Sequence, residues 1–251
     1  MEKKFDFTNI ENHHFIIEEN DFFTIYENSE LIQYNEANYL QLKYSPTIEE
    51  FLIIEQIYME YLDTIELSHI HIKWPEDIGI HLDVFNYLGQ KEYKIGKKEL
   101  MHLEPDHLTI PLASPLWTFS FVDETTIKTF LAINYKEDVL HGEDFAELKQ
   151  KVYRYLYKQP HIQFLLVSLD GRALGSTIVI HKNSYLEIDH VLTTADSRNM
   201  GVASSIVRYL ANYAKKSDII LVVDAEDTPK NMYEKFGFRN ISSQISIEID
   251  L

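Results

Sequence analysis

Residues Tyr185 to Ser204, YLEIDHVLTTADSRNMGVAS, constrain the fold more than any other stretch. The run Tyr185-Leu186-Glu187-Ile188-Asp189-His190-Val191-Leu192 consists of strand formers and carries carboxylates at Glu187 and Asp189. A polar turn, Thr193 to Ser197, leads to Arg198-Asn199-Met200-Gly201-Val202-Ala203-Ser204. Beyond it Val202, Ile206, Leu210 and Tyr213 recur at the three-and-four spacing of one helix face. The stretch therefore predicts strand, loop, glycine turn and helix. The first turn of such a helix has backbone N–H groups without an intrahelical partner, and the helix dipole adds partial positive charge there. Small residues at Gly201 and Ala203 let an anion reach the backbone, and Arg198 adds a cation. A helix that simply begins near a glycine has the same local pattern.

The following segment narrows the choice. Lys215-Lys216-Ser217-Asp218 is a polar break, and Ile219-Ile220-Leu221-Val222-Val223 is a continuous apolar run, as in a strand buried on both faces. Strand, helix and buried strand make a right-handed crossover with the anion site at its first turn. Thr228 then caps a helix with Pro229 at its first position, Gly237 ends it, and Phe238 starts a closing strand pair that finishes at Ile245-Ser246-Ile247-Glu248-Ile249.

On these residues the segment 185–238 resembles the core of the GNAT family of N-acetyltransferases. Arg198-Asn199-Met200-Gly201-Val202-Ala203 is similar to that family's Q/R-x-x-G-x-G/A pyrophosphate loop. Met232-Tyr233-Glu234-Lys235-Phe236-Gly237-Phe238 is similar to its L-Y-E-K-L-G-F segment. The resemblance implies an α+β fold, a mixed, mostly antiparallel sheet flanked by helices, with acetyl-CoA as co-substrate. It extends over about residues 115–251. Trp117 to Val122 reads as its first strand, Thr125 to Tyr135 and Asp144 to Tyr157 as two helices, and Ile162 to Ser168 with Ala173 to Ile180 as a hairpin around Asp170-Gly171. The second helix places Phe145, Leu148, Val152 and Tyr155 on one face.

The N-terminal half has a fainter version of the same order. Phe22 to Tyr26 and Leu31 to Tyr34 flank a hairpin turn, and Tyr39 to Tyr44 alternates as a third strand. Thr47 with Glu50 is a capping-box signal that opens a helix with Phe51, Ile54, Tyr58, Tyr61 and Leu62 on one face. Ile70 to Trp74 reads as a strand, Val84 to Gly89 as a short helix ended by glycine, and Tyr93 to Leu103 as closing strands. The order resembles a degenerate GNAT domain, so two such domains are expected in tandem. An unrelated α+β cap is the alternative. Where the C-terminal copy has its glycine turn, this copy has Thr47-Ile48-Glu49-Glu50-Phe51, two carboxylates and no glycine, which would repel a pyrophosphate. Pro105, Pro111 and Pro115 mark a linker, giving 1–104 as the N-terminal domain, 105–115 as the linker and 116–251 as the acetyltransferase domain.

Composition excludes some chemistry. The chain has no cysteine, which removes disulfides, thiol nucleophiles and Cys-ligated zinc. Its net charge of −17 argues against nucleic acid and fits cationic amines, although acidic balance also serves solubility. No apolar run approaches membrane length and no basic leader precedes the first strand, so a cytoplasmic protein with no membrane partner is expected. His69 and His71 alternate on one strand face, but no third residue has ligand spacing, and no metal is expected.

Acetyl transfer to an amine requires a held thioester, a polarised carbonyl, a base for the ammonium and an acid for the departing thiolate. The resemblance implies that backbone N–H groups of Arg198, Asn199, Met200, Gly201, Val202, Ala203 and Ser204 bind the diphosphate. It places the pantetheine arm along Leu192 and Thr193, with the Leu192 N–H on the thioester oxygen. Glu187 stands where several members have a glutamate base, with Asp189 on the same face. Tyr233 is the tyrosine beside the sulfur. Glu226 replaces an asparagine that often contacts the coenzyme, and Asn199 and Met200 replace the usual glycine and basic residue. The expected activity is direct transfer from acetyl-CoA to a primary amine of a small molecule or peptide. A catalytically silent acyl-CoA-binding or protein-interaction module is the alternative, and a homodimer through the N-terminal half is a further reading.

Overall fold

The computed structural model describes residues 4–110, 117–214, 217–226 and 228–250. Part of the expected linker, including Pro111 and Pro115, and the Lys215-Lys216 break lie outside the described residues. In chain order the elements are β1 (Phe15–Glu19), β2 (Phe23–Glu27), β3 (Tyr39–Leu42), α1 (Ile48–Thr64), β4 (His69–Lys73), α2 (Leu82–Gln90) and β5 (Lys94–Leu103). They continue with β6 (Thr118–Phe121), α3 (Ile127–Asp138), α4 (Glu143–Tyr157), β7 (Ile162–Leu169), β8 (Arg172–His181) and β9 (Tyr185–Thr193). The last are α5 (Val202–Tyr213), β10 (Asp218–Asp224), α6 (Thr228–Phe236) and β11 (Arg239–Asp250). Two compact units result: Met1–Leu100 with Val223–Asp227 and Ile241–Leu251, and Met101–Val222 with Thr228–Asn240. Residues 223–226 and 241–250 thus group with the N-terminal residues although in sequence they fall inside 116–251.

In the first unit β1, β2 and β3 run antiparallel in order, and β3 pairs parallel with β4 at Leu40↔Ile72 across the α1 crossover. Strand β11 is the next neighbour of β4, pairing antiparallel through Ser246 to Asp250 with Lys73 to His69, and β5 follows it in the strand order. The capping box forms as expected: the Thr47 N–H donates to Glu50 Oε2 at 2.8 Å and the Glu50 N–H to Thr47 Oγ1 at 3.4 Å. Phe51, Ile54, Tyr58 and Leu62 of α1 are buried against Leu40, Ile70, Ile72 and Trp74. Each such side chain stabilises by about 1.5–3 kcal/mol as an upper bound. Tyr61 is only half-buried and donates its hydroxyl to Glu27.

The expected hairpin strand at Leu31 to Tyr34 is absent. That segment forms two short 3-10 turns, Ser29–Leu31 and Asn35–Ala37, because Asn28 Oδ1 caps the first and Asn38 Nδ2 donates to the carbonyls of Leu31 and Tyr34. The partner of β2 is instead β1, whose residues are all exposed, so no buried alternation marks it. Gly89 lies inside α2 rather than ending it, and Glu92 takes the left-handed conformation at φ 61°.

In the second unit β6, β7, β8 and β9 are consecutive antiparallel neighbours, and β9 pairs parallel with β10 at Leu186↔Ile219. Asp170 and Gly171, at φ 49° and 78°, close the β7–β8 hairpin as a two-residue turn with both residues left-handed. The apolar run of β10 is buried as its composition requires. The face of α4 differs from the expected one: Ala146, Gln150, Tyr153 and Leu156 point inward with Val152, while Phe145 is exposed. Polar Gln150 and Tyr153 are buried because each has a partner, Leu131 O and Asp138 respectively, and this hides the true apolar periodicity. The closing segment is one continuous strand, β11, rather than a pair. The order β3-α1-β4-α2 in the first unit recurs as β9-α5-β10-α6 in the second, a tandem of like topologies.

Candidate active site

The second unit brings β8, β9 and the start of α5 together. Gly201 caps α5 at φ 84°, a left-handed conformation that disfavours a side chain, and Asn199 precedes it at φ 64°. No side chain caps this helix and its first turn has no acidic residue. The first-turn amides of Val202, Ala203 and Ser204 have no intrahelical acceptor. In the first unit, by contrast, the corresponding helix α1 is closed by its own Thr47 and carries Glu49 and Glu50 in the first turn.

Two further features shape the loop. A Cβ on Gly175 would lie 2.4 Å from Leu192 O and 2.8 Å from Val202 Cγ1, so only glycine lets β8 pass this close to the end of β9 and to α5. Thr194 ties the turn, its N–H donating to Leu174 O at 2.9 Å and its hydroxyl to Ser197 Oγ at 2.9 Å. Arg198 is not the open cation expected. Its Nη2 lies 2.5 Å from Glu137 Oε2, and Glu137 Oε1 accepts from the Ala195 N–H at 3.2 Å. Met200 is exposed.

Strand β9 is bulged. The register slips between Ile178↔Asp189 and Ser176↔Leu192, and His190 sits at φ 49°. Thr177, fully buried, donates its hydroxyl to Asp189 O at 2.8 Å, and Asp189 Oδ1 accepts the His190 N–H at 2.8 Å. The two candidate carboxylates differ in exposure: Glu187 is buried and Asp189 is exposed. Leu192 is buried and Thr193 half-buried, opposite Ser176 and Gly175. Tyr233 is buried between Phe236 and Phe238, and burial with the nearby Asp189 carboxylate raises its phenol well above the usual value.

The sequence did not reveal a polar chain behind the bulge. Asn134 Nδ2 donates to Phe130 O at 2.8 Å and lies 3.1 Å from Ser176 Oγ. A carbonyl only accepts, so Asn134 Oδ1 must be the atom 2.8 Å from His190 Nε2. The imidazole therefore carries its proton on Nε2. The same nitrogen lies 2.9 Å from the Tyr153 hydroxyl, which donates to Asp138 Oδ2 at 3.0 Å. Both hydrogen bonds of the ring are at Nε2, which leaves the lone pair on His190 Nδ1. Burial, helped by Lys149 and opposed by Asp189, lowers the imidazole to about 4, so it is neutral at pH 7. Burial raises the Asp138 carboxyl. These residues come from α3, α4 and β9. Their only local sign in sequence is a pair of polar residues, Asn134 and Asp138, four apart on an otherwise mixed helix.

Comparison with known proteins identifies the class. Residues 132–248 match the model of an acetyltransferase (GNAT) domain, and residues 5–101 match a domain of unknown function, DUF5613. The C-terminal region is thus a GNAT domain, preceded by a second domain of like topology. A functionally unknown conserved protein from Staphylococcus epidermidis ATCC 12228 superposes with a TM-score of 0.90 at 21% identity, covering 98% of each chain. A GCN5-related N-acetyltransferase from Kribbella flavida gives 0.63 at 11% identity, over 90% of this chain and 86% of that one. A tandem GNAT protein from the clavulanic acid biosynthesis pathway gives 0.51 at 9% identity, over 76% and 66%. At these identities the likeness is one of fold. No curated protein matches the chain. Among the described residues no helix is long and apolar enough to cross a membrane.

Proposed function

We propose that the chain is an N-acetyltransferase that moves an acetyl group directly from acetyl-CoA to a primary amine, acting in the cytoplasm. The observation that carries this reading is the uncapped, glycine-led start of α5 immediately after the bulged strand β9. First-turn amides of Val202, Ala203 and Ser204 hold the diphosphate, and the end of β9 at Leu192 and Thr193 receives the pantetheine arm. The Leu192 N–H is the proposed donor to the thioester oxygen, and Tyr233 the acid that protonates the departing thiolate. Two groups compete as base. Glu187 has the position implied by the family, but it is buried; His190 is neutral with its lone pair on Nδ1, and the Asn134–Tyr153–Asp138 chain fixes its tautomer. His190 is favoured on that ground. Its low basicity suits it to take a proton from the neutral amine as the N–C bond forms and the nitrogen becomes acidic, rather than from a free ammonium.

Thiol release over a panel of amines tests the proposal. His190→Gln keeps an N–H where Nε2 stood and removes the Nδ1 acceptor, so kcat falls by about 10²–10⁴-fold with the KM for acetyl-CoA unchanged. A full-rate His190→Gln with an impaired Glu187→Gln would return the base to Glu187. The alternative is a silent acyl-CoA-binding module; Glu137, which occupies Arg198 and the Ala195 amide, lowers the anion affinity of the loop in either case. Binding of acetyl-CoA with no thiol release from any amine would select the silent module.

A further inference from the structure

A separate polar cluster lies within the first unit. His71 on β4 is 1% exposed, and its Nδ1 lies 2.9 Å from the backbone carbonyl of Asn35. The carbonyl accepts, so Nδ1 carries the proton and Nε2 keeps a lone pair. That Nε2 is buried without a hydrogen-bond partner and faces Glu248 Oε1 at 3.6 Å, a position set by the β4–β11 register His71↔Glu248. Glu36 adds a third donor, and one ligand atom from each of the three residues lies within 4.8 Å of the others. The next histidine on this face repeats the pattern: His69 Nδ1 is 3.0 Å from Asp250 Oδ1, and its Nε2 is likewise buried and unpartnered. An acceptor on Nδ1 that leaves Nε2 bare is the outer arrangement that orients metal-binding imidazoles.

We propose that Glu36, His71 and Glu248 form a binding site for a divalent cation of the zinc class, independent of acetyl transfer. Two acceptors facing each other in a buried place are unfavourable, and a cation between them reverses the sign of the interaction. One imidazole with two carboxylates suits Zn²⁺ or a neighbouring transition metal better than Mg²⁺ or Ca²⁺, which prefer all-oxygen shells. Metal bonds of about 2.0–2.2 Å at tetrahedral angles hold ligand atoms roughly 3.3–3.6 Å apart, so the His71–Glu248 spacing already fits. Water completes the shell.

Lys73, at 2.9 Å, and Lys98 both pair with Glu36 and are the rival cations. They satisfy Glu36 but leave the confrontation of His71 Nε2 with Glu248 in place. Each Glu36 oxygen retains a second lone pair. Glu36 and Glu248 are balanced by Lys73 and Lys98, and Asp250 by Lys94, so a cation enters a site whose carboxylates are already matched in charge and must compete with these lysines. Sequence spacing showed only His69 and His71; Glu248 comes from the last strand, far outside the 5–101 match.

The test uses the tag-free full chain after chelator treatment, titrated with Zn²⁺ by calorimetry and with Co²⁺ by visible absorption. One Zn²⁺ per chain is expected, with affinity at least tenfold lower in Glu248→Gln and His71→Gln, and a Co²⁺ ligand-field band that His71→Gln abolishes. Absence of Zn²⁺ uptake overturns the proposal. So does uptake unchanged in Glu248→Gln with a native circular dichroism spectrum, which would locate the ion elsewhere. Glu248 is partly exposed, unlike His71, so its variant decides the matter should His71→Gln fail to fold.

Discussion

Replacing Gly175 by alanine probes how closely the acyl-CoA cradle is built. The new Cβ would meet Leu192 O at 2.4 Å and Val202 Cγ1 at 2.8 Å, against a normal contact of about 3.5 Å. The end of β9 must retreat by about 1 Å and Val202 in the first turn of α5 by about 0.7 Å. Overpacking costs about 1–3 kcal/mol, and a backbone oxygen as the neighbour places this substitution near 3 kcal/mol. For a domain of this size that corresponds to a fall in Tm of about 6–12 °C. Because the atoms that move are the ones proposed to receive pantetheine and diphosphate, the Kd for acetyl-CoA should rise at least about tenfold, or 1.4 kcal/mol. Gly89→Ala is the control: it sits in α2 with nothing within 4 Å of a Cβ, and alanine there should stabilise by about 0.5–1 kcal/mol without touching coenzyme binding. Differential scanning calorimetry and acetyl-CoA titration read both effects. A Gly175→Ala protein that melts and binds like the native chain would mean that the close approach of β8 to β9 and α5 does not shape the cradle.

Other perturbations have defined signs. Glu137→Gln releases Arg198 toward the anion, and as an exposed pair is worth at most about 1 kcal/mol, acetyl-CoA should bind about two- to fivefold tighter by titration. Thr47→Ala removes the α1 cap and should cost about 1 kcal/mol in urea unfolding while leaving acetyl-CoA affinity unchanged. His190 is depressed on folding, so the stability linked to it is present above the unfolded histidine value of about 6.5 and is lost as pH falls toward about 4. Between pH 7 and pH 5 the native chain should therefore lose about 2 kcal/mol through this residue, and His190→Gln should lose correspondingly less in paired urea midpoints.

What was legible in the sequence is what acts over a few residues. The glycine-led start of α5, the Thr47–Glu50 box, the continuous apolar β10 and the Asp170-Gly171 turn are local signals, and all appear in the structure. What depends on cross-strand register was not legible. The β9 bulge exists because Thr177 faces two residues, and nothing in YLEIDHVLT marks the slip. Buried polar residues misled in the same way: Gln150 and Tyr153 break the apolar spacing of α4, and it is their remote partners that make burial tolerable. The His190 chain draws on three elements and the Glu36–His71–Glu248 cluster spans most of the chain, so neither has a spacing to read.

Acetyl-CoA binding by this chain depends, as proposed, on first-turn amides of α5 gripping a diphosphate. The most direct measurement is a titration of the isotopically labelled full chain with acetyl-CoA, following the backbone amide resonances of Val202, Ala203 and Ser204. Saturable shifts at these three amides with one equivalent of coenzyme are predicted. Saturation that leaves them unmoved, or no binding at all, would contradict the account.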